Sequence, residues 1–292
     1  MADTNPDPGD GPAALEPPVD AAAPPAGAPW DLPLGEAPLA VLDLAVTGLD
    51  ARAHHICELA VRRVRGGVVE GELNSLVRPA SRVGGSQHIH GLDDATLSTA
   101  PPLASLAPAL AGLLDGAVLV GHGLAADVAF LHEAAARGEL PAPPAWAIDT
   151  LVLARRALCL PSYRLAALAG ALRLPAPTHR ALSDVITTAA LFAHLAAALR
   201  APTARALWQV RAGEAHASMR DDVRRVLTQA AATTGHARVC YRVPRRNATE
   251  DVLAIRLLEP PHVEGRLLRA RCTRRLRGDR ILWAEVVATP AT

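Results

Sequence analysis

The chain has 292 residues, half of them hydrophobic and only 3% aromatic, so Ala, Leu and Val must fill most of any core. The formal net charge is +1, so the surface as a whole has no basic field. Such a field is a common sign of nucleic-acid binding. The four cysteines lie far apart with no C-x-x-C pair, which argues against a zinc site or a disulfide framework and predicts a reducing, cytoplasmic location.

Residues 1–36 differ in composition from the rest of the chain. They are rich in Pro, Ala and Gly and have a net charge of −7. Such a segment buries too little apolar surface to order itself, so a disordered tail is predicted. It has neither a basic start nor an apolar stretch, and no signal peptide is expected. No run of about 18 apolar residues lacks both charge and proline, so no membrane span is expected either.

Residues 37–200 are predicted to form the first domain. A Gly66-Gly67 turn joins two strands that follow the first one, which indicates an antiparallel meander. The segment 79–102 is predicted to be a loop. Strands are expected at Leu39–Leu44, His55–Arg65, Val68–Arg78, Ala117–Gly121 and Trp146–Ile148. Helices are expected at Leu103–Leu114, Leu124–Arg137, Asp149–Leu158, Tyr163–Ala171 and Ala181–Arg200. This order predicts an α/β fold, with a mixed five-stranded sheet flanked by helices.

The remainder of the chain has a different pattern. Residues 201–234 are predicted to form a helical connector with one charged side. Residues 235–292 are predicted to form a small β-rich domain, and they hold twelve arginines against six acids. Its strands are expected at Ala237–Val243, Val252–Leu257, Arg266–Thr273 and Arg280–Val287.

Three carboxylates lie at the ends of predicted elements. Asp43 lies within the first strand, Asp127 opens the helix after the strand 117–121, and Asp184 lies one turn into the long last helix. A buried carboxylate without a partner costs free energy or loses its charge, so a metal ion or a charged partner is expected at Asp43. Taken singly, each of the three also suits a turn or helix cap.

A histidine accompanies this set, because His179 precedes Asp184 by five residues. Three carboxylates from three element ends can converge at one edge of a sheet, where hard divalent cations such as Mg²⁺ bind carboxylate oxygens and water. Two such ions can hold the attacking water and the leaving oxygen of a phosphodiester. A histidine titrates near neutral pH and can take the proton from that water.

Three motifs carry a resemblance to a known family. They are DLAVTG from Asp43 to Gly48, HGLAAD from His122 to Asp127, and HRALSD from His179 to Asp184. In that order they resemble D-x-E-[TS]-[TS]-G, H-N-x-x-[FY]-D and H-[RN]-A-x-x-D of the DEDDh branch of 3′–5′ exonucleases. This is the superfamily of the proofreading ε subunit of bacterial replicative polymerases, and the resemblance extends from about Pro38 to Leu199.

The resemblance implies a ribonuclease H-like fold and 3′–5′ exonuclease activity on DNA or RNA ends. It implies a two-metal site for Mg²⁺ or Mn²⁺ held by Asp43, Asp127 and Asp184, with His179 as the general base. Nucleoside monophosphates would be the products.

The resemblance also implies substrate contacts for three further residues. Thr47 and Gly48 would contact the terminal nucleotide, and His122 would line the site. The open alternatives are that Thr47 and Gly48 shape a turn and that His122 is a loop residue. His88 and His90 are expected to be structural, and Asp149 is expected to be a helix N-cap.

The chain departs from the family pattern at the first motif. Ala45 stands where the family has its metal-binding glutamate, and alanine cannot bind a metal. Gly123 and Ala126 replace the usual Asn and Phe of the second motif. Glu58 on the neighbouring strand is a candidate substitute ligand. An alternative function is therefore a catalytically inactive exonuclease-like protein that binds nucleic acid or a protein partner.

Residues 222–287 resemble the WYL domain, a small β-barrel-like module of bacterial regulators and nucleases. The similar phrases are VCYR at 239–242 and EGRLLRARC at 264–272. The resemblance implies a domain that binds nucleic acid or a nucleotide-like ligand through arginines. The candidate phosphate contacts are Arg269, Arg271, Arg274, Arg275 and Arg277. A solvated basic face, or another small β-rich interaction module, is the open alternative.

Overall fold

The first of two sheets carries the predicted acidic residues. The computed structural model describes residues 23–83, 86–216, 219–243 and 246–288. The strands of this sheet are β1 (Leu39–Val46), β2 (Ile56–Arg65), β3 (Val68–Leu76), β4 (Val118–Gly121) and β5 (Ala147–Asp149). Their order is β3-β2-β1-β4-β5. β1 pairs antiparallel with β2 and parallel with β4, and β4 pairs parallel with β5. The predicted mixed five-stranded sheet is confirmed.

Helices cover both faces of this sheet, as predicted. They are α1 (Gln87–His90), α2 (Asp94–Ser98), α3 (Ala107–Leu114), α4 (Ala125–Ala136), α5 (Thr150–Ala157), α6 (Leu165–Leu172), α7 (Ala181–Ala198) and α8 (Ala204–His216). A further helix, α9 (Asp221–Ala232), packs against the second sheet. On one face Leu42 of β1 packs with residues of α3 and α4, including Phe130. On the other face Val41 packs with residues of α5, α6 and α7, including Leu191. The strict alternation along β1 therefore sends neighbouring residues to two different cores.

The segment 79–102 contains α1 and α2, so its assignment as a loop is wrong. The two helices have four and five residues, which is too short to show a helical period of apolar residues. Asp93 caps α2 by accepting a hydrogen bond of 2.7 Å from the Thr96 backbone nitrogen. His90 is buried, and its Nδ1 accepts from the Leu92 backbone nitrogen at 3.1 Å. This histidine is structural, as predicted.

Residues 23–36 are packed against the fold, which corrects the prediction of a disordered tail for this part. Trp30 is buried in the core between the first sheet and helices α5, α6 and α7, which is called the α7-side core below. Arg205 of α8 donates to Asp31 and to the carbonyl oxygens of Pro24 and Pro25. The composition predicted a disordered tail because one tryptophan among many Pro and Ala residues contributes little to an average. Residues 1–22 of the predicted tail lie outside the described residues.

The second sheet lies in the C-terminal part and is antiparallel. Its strands are β6 (His236–Tyr241), β7 (Thr249–Glu259), β8 (His262–Leu267), β9 (Cys272–Arg277) and β10 (Ile281–Val286), in the order β10-β6-β7-β8-β9. A β-rich C-terminal unit is thus confirmed, with α9 packed against its inner face. The predicted helical connector 201–234 contains the two helices α8 and α9.

The predicted strand Arg266–Thr273 is wrong, because a turn interrupts it. Arg271 has a φ of 53°, in the left-handed region that does not continue a strand. The Asp251 carboxylate accepts hydrogen bonds from the backbone nitrogens of Arg269 and Ala270 at 2.8 and 2.9 Å. An aspartate 18 residues upstream therefore fixes this turn, and the local sequence gave no sign of it.

Helix α7 is long and apolar enough to cross a membrane by length and composition. In the fold it packs against β1 and β2 and buries Val185, Leu191 and Leu195. It also carries Asp184 in its first turn. These contacts are those of a core helix that supports the sheet.

The two sheets share one apolar core. Trp208 of α8 packs in the α7-side core together with Cys240, Leu282 and Trp283 of the C-terminal sheet. The Arg200 guanidinium lies 3.6 Å from the ring centre of Trp283. Buried Arg220 donates to the carbonyl oxygens of Leu199 and Leu282, at 2.9 and 2.7 Å, and so joins α7 to β10.

This shared core predicts that Trp283→Ala lowers the free energy of unfolding by about 3–5 kcal/mol, because it leaves a cavity between the two sheets. Urea unfolding followed by circular dichroism measures the loss. Leu257→Ala is the control, because that side chain is 46% exposed. A loss for Trp283→Ala no larger than for the control would contradict a common core.

Candidate functional site

Four acidic residues are brought to one edge of the first sheet. Asp43 lies in β1, Asp127 lies in the first turn of α4 directly after β4, and Asp149 ends β5. Because β1, β4 and β5 are parallel, their carboxyl ends meet at the same edge, where ligands bind in open α/β sheets. Asp184 joins them from the first turn of α7, which packs over β1.

The carboxylate of Asp43 lies close enough to those of Asp127 and Asp184 for their charges to interact. Burial, followed by the charges of Asp184 and Glu58, raises the pKa of Asp43 to about 8. Burial, followed by the charges of Asp43 and Asp149, raises the pKa of Asp127 well above its usual value. Burial also raises the pKa of Asp184. The edge therefore concentrates negative charge that the fold itself does not neutralise.

Asp184 also shapes the turn that carries His179. Its Oδ1 accepts a hydrogen bond of 3.1 Å from the Thr178 backbone nitrogen, and hydrogen bonds from the backbone of Thr178 and His179 oppose the rise of its pKa. His179 has a φ of 58°, a left-handed conformation that costs a non-glycine residue about 1 kcal/mol or more. Its side chain is exposed. The structure therefore holds this histidine in a strained turn beside the acidic edge.

The turn before α4 depends on Asp149. This residue caps α5, as predicted, by accepting from the Leu151 backbone nitrogen at 2.8 Å. Its two oxygens also accept from the backbone nitrogens of Gly123 and Leu124, at 2.9 and 3.1 Å. Gly123 has a φ of 70°, which Gly and Asn tolerate best. Asp149 thus sets the start of α4 and the position of Asp127, a role that its capping signal did not reveal.

The ring of His122 is engaged within the protein at both nitrogens. Nε2 lies 3.0 Å from the carbonyl oxygen of Tyr163 and so donates to it, and Nδ1 lies 2.9 Å from Thr150 Oγ1. Burial lowers the pKa of this histidine, which keeps its ring neutral near pH 7. These contacts favour a structural role, and the substrate contact stays a prediction.

Thr47 and Gly48 form a tight turn after β1. The buried Thr47 hydroxyl accepts from the His55 backbone nitrogen at 3.0 Å and lies 3.2 Å from Ser81 Oγ. A Cβ added to Gly48 would lie 2.3 Å from the His54 ring, so a larger residue here would force that ring to move. The Thr47 contacts favour the turn-shaping alternative, and the predicted substrate contacts of both residues stay untested.

Glu58 is held by an ion pair and is not free to replace the missing ligand. It pairs across the strands with Ala45, so both face the same side of the sheet. Arg180 donates to both carboxylate oxygens of Glu58, at 2.8–3.2 Å, and the Ala181 backbone nitrogen donates at 3.2 Å. The Glu58 side chain is 3% exposed. Ala45 itself lies in a small apolar cluster with Cys57, Val83, Leu92 and Leu97.

The residues at this edge fit a divalent cation in donor type and charge. Three carboxyl groups whose pKa values are raised by burial gain stability in their charged form from a bound cation. Among the described residues, no group of three or more His, Cys, Asp or Glu side chains is arranged so that it could hold a metal ion by itself. Mg²⁺ typically uses one or two carboxylates and completes its shell with water and substrate phosphate oxygens, which suits an open set.

The motifs and this geometry have a counterpart in a known family. Residues 40–192, just over half of the chain, match the family model described as Exonuclease. The chain belongs to this exonuclease family. The resemblance to the DEDDh-type exonuclease superfamily, drawn from the three motifs, is thereby confirmed.

Two curated relatives align with the exonuclease part of the chain. A Mycobacterium tuberculosis protein, whose name describes a bifunctional exonuclease/endonuclease, is 33% identical over 177 residues. The PolC-type DNA polymerase III of Thermotoga maritima is 31% identical over 169 residues. Each alignment covers 56% of this chain but only 27% and 12% of the relatives, respectively. The chain therefore matches one part of much longer proteins.

Solved exonuclease structures share the fold. Exonuclease I has a TM-score of 0.52 at 16% identity, with 80% of this chain and 55% of that chain covered. The zinc-bound E. coli exonuclease I–single-stranded DNA complex has a TM-score of 0.51 at 16% identity, covering 78% of this chain and 54% of that chain. Because residues 37–200 make up just over half of the chain, the likeness in fold extends beyond them.

The raised pKa of Asp43 predicts that Asp43→Asn stabilises the metal-free protein at pH 8 but not near pH 4. Below about pH 4 the Asp43 carboxyl is protonated both in the folded protein and in the unfolded chain. As the pH rises from 3.8 to about 8, ionisation favours the unfolded chain, so the wild-type fold loses stability. Asn resembles the protonated acid and removes this loss, on the order of a few kcal/mol.

Urea unfolding with EDTA between pH 4 and pH 8 measures this difference. Asp115→Asn at an exposed position is the control. The same pH-dependent gain in the control, or no gain for Asp43→Asn at pH 8, would show that Asp43 does not carry the penalty.

Proposed function

We propose that this chain is a weak, metal-dependent exonuclease that removes nucleotides from nucleic-acid 3′ ends. The observation that carries the proposal is the acidic edge, where burial raises the pKa of Asp43, Asp127 and Asp184. The charge of Asp184 adds to the rise at Asp43, and the charge of Asp43 adds to the rise at Asp127. Negative charge concentrated in this way is suited to a divalent cation and thus to phosphodiester hydrolysis. Membership of the exonuclease family supports the same reading.

The residues have distinct proposed roles. Asp43, Asp127 and Asp184 hold Mg²⁺ or Mn²⁺. A bound ion would stabilise the charge on the attacking and leaving oxygens. His179 accepts the proton of the attacking water, and its exposed position beside Asp184 leaves it open to substrate. The turn at Thr47 and Gly48 shapes the rim of the site.

The proposed activity is weak because one ligand is absent. Ala45 offers no oxygen at the position of the family's glutamate, and the oxygens of Glu58 are occupied by Arg180. A metal ion held by fewer carboxylates is bound less tightly, and its water is less well positioned. Small displacements of reacting groups reduce rates by large factors.

A second candidate is a catalytically inactive member of the family that binds nucleic acid or a protein partner. The same ion pair favours it, because Arg180 neutralises Glu58 next to Ala45 and the sheet edge then lacks two of its potential ligands. The two functions differ in hydrolysis, because only the first one cleaves nucleic acid.

The C-terminal arginines are proposed to contact phosphates. Arg269 and Arg271 lie in the turn between β8 and β9, and Arg274 and Arg275 lie on β9, which is an edge strand. All four are exposed. Arg277 differs, because its guanidinium donates to both oxygens of Asp279 at 2.9 Å, so two of its donors are already engaged within the protein. A WYL-like identity of this unit stays a prediction.

The ligand argument predicts that wild-type protein shortens a 3′-labelled single strand slowly with Mn²⁺ and that Asp43→Ala abolishes this. Ala45→Glu is expected to raise the rate by about tenfold or more, because it restores the missing carboxylate. Ala45→Gln is the matched control, with the same size and no charge, and should give no gain. Absence of shortening by wild type and by Ala45→Glu would favour the inactive binding protein.

The arginine argument predicts a lower salt dependence when Arg274 and Arg275 are both replaced by Ser. Each lost phosphate contact reduces the slope of log K against log salt by about 0.7 for a single strand, so a fall of about 1.4 is expected. Arg277→Ser is the control on the same strand, because its charge is paired with Asp279. Filter binding of a labelled oligonucleotide across salt concentrations measures the slopes, and equal slopes for wild type and the double variant would remove this surface.

A further inference from the structure

Helix α5 joins the acidic edge to the C-terminal sheet. Its first turn contacts the segment between β4 and α4, which leads to Asp127. Thr150 Oγ1 lies 2.9 Å from the Gly121 carbonyl oxygen and 2.9 Å from His122 Nδ1. With the Asp149 cap, these contacts attach the start of α5 to residues 121–124. Any movement of α5 is therefore transmitted to the turn that positions Asp127.

The other end of α5 is held by an arginine of the C-terminal sheet. Arg242 directly follows β6, is 9% exposed, and donates through its guanidinium to the carbonyl oxygens of Arg155 and Leu158. The last carbonyls of a helix have no partner within the helix, and a cation is favoured there by the helix dipole. The Arg242 backbone nitrogen donates to the Arg280 carbonyl oxygen at 2.9 Å, which fixes its own position.

A second contact joins the same helix to the same sheet. Arg156 of α5 lies 3.5 Å from Asp279, measured from Nη1 to Oδ2. The two side chains are 5% and 1% exposed. A buried ion pair of this kind gives a defined relative position to the two elements that carry it.

The segment after α5 continues the connection to His122. The Tyr163 hydroxyl donates to the Leu158 carbonyl oxygen at 3.0 Å, which is the same oxygen that Arg242 binds. The Tyr163 carbonyl oxygen accepts from His122 Nε2 at 3.0 Å. A continuous set of hydrogen bonds thus runs from Arg242 through Leu158 and Tyr163 to His122, next to the turn before Asp127.

We propose that Arg242 is a positioning residue of the active site: by capping α5 and anchoring the 158–163 segment, it fixes His122 and the turn that carries Asp127. The C-terminal sheet then completes the site, in addition to any contact with nucleic acid. The consequence for activity rests on the proposed exonuclease function, whereas the structural coupling from Arg242 to His122 does not.

The coupling is tested by Arg242→Met, which keeps an apolar stem and removes the donors. Arg238→Met is the matched control, because Arg238 lies on β6 with a half-exposed side chain that pairs with Glu285 instead of α5. Histidine-ring ¹H–¹⁵N NMR on the full chain reports His122 directly. The His122 Nε2–H resonance is expected to shift or disappear in Arg242→Met and to stay unchanged in Arg238→Met, while His90 serves as an internal reference in both.

Activity and a second variant complete the test. Arg242→Met is expected to lower the Mn²⁺-dependent rate at saturating substrate at least tenfold, Arg242→Lys to restore part of it, and Arg238→Met to stay within twofold of wild type. Tyr163→Phe leaves the C-terminal sheet intact and should shift the same His122 resonance, which covers the case that Arg242→Met does not fold. An unchanged His122 resonance in Tyr163→Phe and in folded Arg242→Met overturns the coupling. If the wild-type protein has no nuclease activity, only the proposed function is overturned, because the NMR measurement of the coupling does not depend on activity.

Discussion

The burial of carboxyl groups at the edge of the first sheet, together with the repulsion between them, is the constraint on which the site depends. Parallel pairing of β1 with β4 brings Asp43 and Asp127 together, and α7 adds Asp184. Like charges in a partly buried place oppose ionisation, which is why burial and neighbouring carboxylates raise the pKa of Asp43 to about 8. A fold that maintains this arrangement loses stability near neutral pH unless a cation is bound, so the site is costly for the apo protein and favourable for a metal complex.

The ion pair between Glu58 and Arg180 removes the nearest candidate substitute for the ligand that is missing at Ala45. The strand register places Glu58 beside Ala45, where a carboxylate is missing, yet Arg180 and the Ala181 amide occupy its oxygens. Because Arg180 balances the charge of Glu58, the net negative charge at this edge is smaller than the number of acidic residues indicates. A smaller number of metal ligands is compatible with slow hydrolysis or with binding alone.

The C-terminal sheet is structurally continuous with the exonuclease part. Trp208, Leu282 and Trp283 belong to the same core, and Arg220 and Arg242 bind backbone oxygens of helices or segments across the boundary. Removing the sheet would expose this core and leave buried carbonyl oxygens without partners, so its role is better studied by single substitutions than by truncation. The proposed coupling from Arg242 to His122 gives the sheet a function at the site as well as at its own surface.

The sequence by itself determined the family, the kind of fold and the residues at the acidic edge, because motif spacing and strand periodicity are local properties that one chain displays. It failed for α1, α2 and the turn at Arg271, which are too short or too irregular to leave a periodic pattern. The tertiary structure alone decided that Arg180 occupies Glu58 and that Arg242 caps α5. The Arg180–Glu58 contact joins positions 122 apart in the sequence, and the contacts of Arg242 join positions 84 and 87 apart. No local pattern encodes which buried donor meets which acceptor over such separations.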